Sequence, residues 1–279
     1  MPVKIVTDSV SDISPEIANE LGITVVPLNV VFGNEIYRDG VDLTTEEFYR
    51  KLEKCQALPT TSTPPLQAFI EIYEKLAEQT NEILVITISR KLSATGESAL
   101  KAVESVQKKC RIHIMPSQWA MMGEGLLVIA AAKAAQTGAG LDEIIKMTER
   151  NDSRLGMRIA FDTLEYLKRG GRIGKAKALL GAMLRINPIL GIKDGEVFPF
   201  GQERSRNRAM QHLYNFVSGY TNIELMAVED ATTSDEADAL TERIRGIFPD
   251  VSIHRSKVSP VIGTNVGPRV IGVAVLGDK

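Results

Sequence analysis

The chain has 279 residues, 33 Lys and Arg against 35 Asp and Glu, and a formal net charge of -2. That length suits one large α/β domain or two closely packed domains with a substantial core. The balanced charge supplies no global positive field, which excludes a nucleic-acid or anionic-membrane binder of the electrostatic kind. Cys55 and Cys110 lie far apart, neither in a C-x-x-C pair, and read as free thiols of a reducing compartment.

The first ten residues, MPVKIVTDSV, hold no secretory apolar segment. The most apolar stretch, 125–135, carries Lys133 and is too short to span a bilayer. It reads as a buried helix, and the expectation is a cytoplasmic protein without stable membrane insertion.

In chain order, 3–7 reads as a buried strand ending in Asp8 and Ser9. Ser14 as N-cap and Pro15 at the first helical position open a helix that Gly22 closes. Residues 24–32 are β-branched and extended, and 45–54 form an amphipathic helix. The run 58–65 (LPTTSTPP) is a hydroxyl-rich loop leading into a helix over 66–78. A strand at 82–88 has the apolar run of a parallel sheet. A loop over 89–96, a helix to about 108, a strand at 111–115 and helices at 119–136 and 141–150 follow. This alternation predicts a parallel sheet covered by helices.

The second half begins near Arg154, with a strand at 155–160, a helical turn at 163–169 ending in Gly170-Gly171, and a helix at 175–184. Residues 188–192 and 196–200 form a hairpin around Lys193-Asp194-Gly195. Helices and strands alternate to Arg255, and a glycine-rich loop, 263–268, precedes a last strand at 270–276. Without a low-complexity linker, the expected units are 1–152 and 153–279, packed together with a cleft between them.

Familiar catalytic signatures are missing. There is no G-x-x-x-x-G-K-[ST], no G-x-G-x-x-G after a strand, no H-E-x-x-H or His/Cys cluster, and no G-x-S-x-G. What the sequence offers is hydroxyls at the carboxyl ends of predicted strands, where open α/β sheets bind ligands. These are Ser9, the 89–95 loop with Ser93 and Thr95, and Ser117, with the 60–63 loop adding Thr61 and Ser62. Hydroxyls and helix N-terminal amides chelate a small anion, yet the same residues serve equally as N-caps. Arg169 and Arg172 flank the glycine pair, and Arg204 opens a helix. Each also reads as an ordinary solvated cation, and Arg169 as compensation for a helix dipole.

These residues, in this order, resemble the DegV family of bacterial fatty-acid-binding proteins over essentially the whole chain. The resemblance begins at Thr7-Asp8-Ser9 and passes through Tyr37, Asp39 and Asp42. It takes in Thr61-Ser62-Thr63-Pro64-Pro65 for the family's Thr-Ser-Gln-Pro-Ser and Ser89-Arg90-Lys91-Leu92-Ser93-Ala94-Thr95 for its Ser-x-x-Leu-Ser-Gly-Thr. The block from Leu164 to Ile173 (LEYLKRGGRI) is the most specific, followed by Asn187-Pro188-Ile189-Leu190 and Arg204. The resemblance implies a two-domain α/β fold with one long-chain fatty acid between the domains. Thr61 or Ser62, with Ser93, would touch the carboxylate, and Arg169 and Arg204 would stand nearby; Thr95 joins them as a ligand-binding candidate that reads equally as the cap of its helix. It further implies a carrier rather than an enzyme, with no cofactor, that presents the carboxyl group to a separate ATP-dependent fatty acid kinase. The chain departs from the pattern where the family has His-x-Gly-Pro-Gly and this sequence has Asn265-Val266-Gly267-Pro268-Arg269. Asn265 hydrogen-bonds but carries no proton or charge. Ala94 replaces a family glycine, and Pro116-Ser117 an Asp-Ser. Three rivals stand beside this reading: a hydrolase or transferase with Ser93 as nucleophile and Asp8, Lys91 or Arg169 as its helper, a small-anion or phosphate binder, and an interaction protein with no ligand.

Overall fold

The computed structural model describes residues 2–279, without the side chains of 181–185. The first half runs β1 (Lys4–Asp8), a 3₁₀ turn at Ser9–Ser11, α1 (Pro15–Leu21), β2 (Ile23–Val26), β3 (Asn29–Phe32), β4 (Glu35–Arg38), α2 (Thr45–Lys54), β5 (Thr60–Ser62), α3 (Leu66–Ala77), β6 (Glu82–Thr87), α4 (Thr95–Val103), β7 (Arg111–Pro116), α5 (Met122–Gln136) and α6 (Leu141–Arg154). The second half runs β8 (Leu155–Ala160), α7 (Glu165–Arg169), a 3₁₀ stretch at Gly174–Arg185, β9 (Asn187–Lys193), β10 (Glu196–Glu203), α8 (Arg206–Ser218), β11 (Asn222–Asp230), α9 (Ser234–Arg245), β12 (Ile253–Lys257), α10 (Pro260–Val266) and β13 (Ile271–Asp278).

Strands β2-β1-β6-β7 form the expected parallel sheet, and β4-β3-β5 a small antiparallel one. The second half builds one six-stranded sheet, β10-β9-β8-β13-β11-β12, antiparallel except between β11 and β12. Helices α3 and α4 bury Phe69, Tyr73 and Ala99 against one face of the parallel sheet. Helices α8 and α9 bury Leu213, Val217 and Leu240 on the outer face of the large sheet. The largest core joins the halves, with Leu126 of α5, Met157 of β8, Leu225 of β11 and Val261 of α10 in one cluster.

Four expectations change. Residues 24–32 are two strands in different sheets, β2 on β1 and β3 on β4, because Pro27 lacks the N–H that would continue the first ladder. The hydroxyl-rich loop contains β5, paired with β3. The glycine-rich loop at 263–268 is helical as far as Val266. Pro260 opens α10 with the φ a first turn needs, and Gly267, at φ +83°, ends it. The predicted helix at 175–184 is present as the tighter 3₁₀ stretch.

Helix α5 explains the apolar run. It packs on β1 and β6 of the parallel sheet and on β8, β11 and β13 of the large one, so no side of it faces bulk water along most of its length. Leu126→Ala removes a fully buried side chain and is expected to lower unfolding stability by about 2–5 kcal/mol. A urea midpoint equal to that of the parent protein would contradict this central placement.

Candidate functional site

A cavity lies between the two halves, with about 700 Å³ of space that includes the open solvent at its mouth. The first half lines it with residues such as Val10, Leu28, Ile88 and Met121, the second with Ile159, Phe161, Leu190, Ile192 and Val261. Four polar side chains interrupt this apolar surface: Thr61, Ser93, Arg172 and Asn265. Adjacent contacts link three of them. The Arg172 guanidinium donates to the Leu92 carbonyl (3.3 Å), next to Ser93, and to the Gly170 carbonyl (2.6 Å). Gly170 in turn abuts Asn265, since a Cβ there would stand 2.2 Å from Asn265 Oδ1.

The carboxyl ends of β1 and β6 are tied by one buried carboxyl. Asp8 accepts the Val10 amide on Oδ1 (3.0 Å) and the Ile88 amide on Oδ2 (3.0 Å), which fixes the two loops that bring Val10 and Ile88 to the cavity. Most of the hydroxyls noted in sequence serve the scaffold. Ser9 donates to Asp39 Oδ2 (2.8 Å), Ser89 to the Gly195 carbonyl (2.7 Å) and Ser117 to the Trp119 carbonyl (3.3 Å).

The structure sorts the expected site residues physically. Neighbours on a strand point to opposite sides, so Thr61 faces the cavity while Ser62 is exposed and receives a hydrogen bond from Asn29 Nδ2 (3.3 Å). Ser93 lines the cavity, and its hydroxyl shares a 2.9 Å hydrogen bond with that of Thr95. Thr95 itself is fully buried behind Ser93, and its amide also donates to Ser93 Oγ (3.3 Å). Asn265 is in the wall, its Nδ2 bonded to the Val261 carbonyl one turn earlier (3.1 Å). Arg169 and Arg204 are not brought to the cavity. Arg169 is exposed on α7 and pairs with Glu165 (2.6 Å), because both occupy the outer face at i and i+4. Arg204 is exposed just beyond β10. The cation that borders the cavity is Arg172, itself exposed, which follows the turn at Gly171 (φ +74°). Its position beside the glycine pair was the sequence signal for it.

Ser93 Oγ has only the Thr95 hydroxyl and amide as partners among the described residues, and neither is a base. No grouping of three or more His, Cys, Asp or Glu suited to a metal occurs among the described residues. None of the described helices is long and apolar enough to cross a membrane.

Sequence reasoning missed a set of carboxyls buried where the halves meet. Burial pushes Asp8 and Asp39 up to about 7, and holds Asp12 and Glu124 well above the ordinary carboxylate range. Glu124 was a visible signal, a charge inside an otherwise apolar helix.

Matched against known families, residues 2–278 fit the model described as "Uncharacterised protein, DegV family". A DegV domain-containing protein of Clostridium perfringens is 35% identical over 280 residues, spanning 98% of each chain. This chain belongs to the DegV family. Its fold matches that of a DegV family protein from Thermus thermophilus whose structure concerns fatty acid binding (TM-score 0.91, 31% identity, 99% of this chain and 100% of that one). It matches equally DegV of Bacillus subtilis, a fatty acid binding protein (TM-score 0.90, 29% identity, 99% of each chain).

A pH dependence follows from the DegV chain's buried carboxyls. Folding raises the pKa of Asp8 and Asp39 from about 4 to about 7, so the folded state binds more protons in that interval. The stability they contribute is complete below the ordinary carboxylate range and is lost as pH rises through about 7. The urea midpoint is expected to fall from pH 5 to pH 8, less steeply in Asp39→Asn. A midpoint that climbs across that range would contradict the burial of these acids as neutral groups.

Proposed function

We propose that this protein binds one long-chain fatty acid between its halves and carries it in the cytoplasm. The observation that carries this reading is the apolar cavity whose few polar residues include two hydroxyls and one guanidinium. The likeness to the Thermus and Bacillus proteins supports it. In this reading the chain divides into units 1–152 and 153–279, each supplying one wall.

The energetics suit such a ligand. At ~0.8 kcal/mol per buried methylene, about fourteen methylenes give ~11 kcal/mol gross, and the loss of translational and conformational freedom offsets much of it. The carboxylate needs donors, because a bare buried anion is costly. Thr61 and Ser93 supply hydroxyls and Arg172 a fixed charge, with Thr95 orienting Ser93 and Asn265 completing the polar wall. Ser62, Arg169 and Arg204 then act outside the cavity, where exposed cations suit contact with a separate kinase that forms the acyl phosphate from ATP. In this family-like arrangement Asn265 supplies hydrogen bonding without the charge of a histidine.

The rival readings are disfavoured by particular features. A small-anion site has no use for the long apolar walls, and a serine hydrolase needs a base at Ser93 Oγ.

Two measurements test the proposal. Native mass spectrometry of the purified protein, followed by solvent extraction, is expected to show one fatty acid per chain. Bare protein that also takes up neither palmitate nor oleate would sink the reading. Ser93→Ala removes one donor to the head group, worth roughly 1.5–3 kcal/mol if fully realised. It is expected to loosen the order of the carboxylate more than it weakens total binding. Unchanged ligand order and affinity in that variant would remove Ser93 from the site.

A further inference from the structure

Asp12 and Glu229 come together where the halves join, one from each half. Asp12 ends the 3₁₀ turn after β1, at φ +52°, and Glu229 lies on β11. Asp12 Oδ1 accepts the Ser259 amide (3.2 Å), and Glu229 Oε2 accepts the Met122 amide (3.1 Å). Each carboxyl therefore receives a backbone N–H from the opposite half. The remaining oxygens, Asp12 Oδ2 and Glu229 Oε1, are buried and have no hydrogen-bond partner among the described residues, and Ser256, the β12 residue opposite Glu229, brings the two side chains together by donating its hydroxyl to the Asp12 carbonyl. Room for this comes from Gly272, opposite Glu229 on β13, where a Cβ would stand 2.9 Å from Oε1.

Two bare carboxylates cannot face each other in a dry site, so the pair holds a proton between them. We propose that this shared proton is a latch holding the two halves closed at the Met122 end of α5, beside the cavity, and that its loss loosens that end and lets the ligand exchange while the rest of α5 stays buried between them. The proposal rests on the fatty-acid reading for its ligand, but the latch itself does not. Three of its four attachment points adjoin cavity walls: Val10 lies two residues before Asp12, Met121 precedes Met122, and Val261 follows Ser259 by two.

The groups around the pair reinforce it. Asp39 follows β4, Glu124 is on α5 and Asp8 ends β1; all are buried carboxyls that disfavour added negative charge. Tyr49 of α2 is buried beside them, and its hydroxyl donates to the Val258 carbonyl (3.1 Å). The nearby cations are already engaged: Arg255 (3.0 Å) and Lys257 (2.8 Å) of β12 both pair with Asp230. No free positive charge is left among these to neutralise a second ionised carboxyl in the pair. Burial raises both groups, Glu229 to about 8. Opening hydrates them and returns each to its ordinary range. Opening thus releases a proton, and each pH unit between the two ranges favours it about tenfold per proton released.

The test loads the protein with cis-parinaric acid, a fluorescent fatty acid, and follows its displacement by excess oleate from pH 5.5 to 9. Release from the wild type is expected to quicken steadily with pH. Asp12→Asn keeps a residue that tolerates positive φ and donates an amide N–H to Glu229 without titrating. Its pH profile should be shallower by one proton, about tenfold per unit, whereas titration of the probe's own carboxyl affects both proteins alike. Should Asp12→Asn fail to fold, Glu229→Gln carries the same expectation. Identical profiles for wild type and variant overturn the latch.

Hydrogen exchange at the Met122 and Ser259 amides of the lipid-free protein, corrected for intrinsic rates, separates the two proposals. Protection that declines with pH in the wild type, and less in the variant, supports the latch even if no fatty acid binds. Failure of cis-parinaric acid to bind then overturns the fatty-acid reading alone. Binding together with pH-independent protection overturns the latch alone.

Discussion

Helix α5 is flanked by the parallel sheet on one side and the six-stranded sheet on the other, and that double burial governs the rest of the molecule. A helix so placed must be apolar all round, and it binds the halves into one hydrophobic body, because separating them would expose it. Its preceding residues, Ala120 and Met121, turn into the cavity wall. Met121 does so at φ +59°, an unusual conformation for a side chain of its size. Surrounding contacts hold it there, among them its amide hydrogen bond to the Val10 carbonyl (2.9 Å). The same burial accounts for Glu124, whose Oε1 accepts the Thr7 hydroxyl (3.1 Å) and whose carboxyl is pushed well above the ordinary carboxylate range by loss of solvent, with buried Asp8 adding to it.

Polar groups near the cavity divide into those that build it and those that face it. Asp8, Ser9, Ser89 and Ser117 satisfy backbone or side-chain partners and hold strand ends in register. Thr61, Ser93, Arg172 and Asn265 keep a surface toward the ligand space. This division suits a ligand with one polar end. A hydroxyl committed to the scaffold positions a wall without competing for the head group. A few uncommitted donors fix orientation, and apolar area supplies affinity.

Sequence legibility followed the range of the interactions involved. The parallel sheet was readable because each apolar run is bounded by its own loop and helix. The α5 helix was readable from its unbroken apolar stretch. Strand β5 was not, since three residues amid hydroxyls and prolines become a strand only by pairing with β3 far upstream. That hidden strand left Thr61 and Ser62 undecided, and its alternation is what separates them. Arg169 and Arg172 were equally visible beside the glycine pair. Both are exposed, and only the helical i, i+4 pairing with Glu165 and the turn at Gly171 show which of them borders the cavity. The cavity walls come from many segments of both halves, and no local pattern distinguishes a wall valine from an ordinary core valine. Asp12 and Glu229 lay equally out of reach, because their pairing exists only once the halves are joined.

Ligand and proton are bound to act on one another if both stabilise the closed arrangement. Linkage is reciprocal: a molecule that binds only when the halves are together must raise the apparent pKa of a carboxyl pair protonated only in that state. The converse holds with the same coupling, so proton loss weakens the ligand's hold. A tail held by apolar area alone has no intrinsic response to pH, and a head group beside Arg172 remains ionised over the physiological range. The means of letting go must then lie in the protein. Buried carboxyls at the junction supply it without placing any titrating group against the tail.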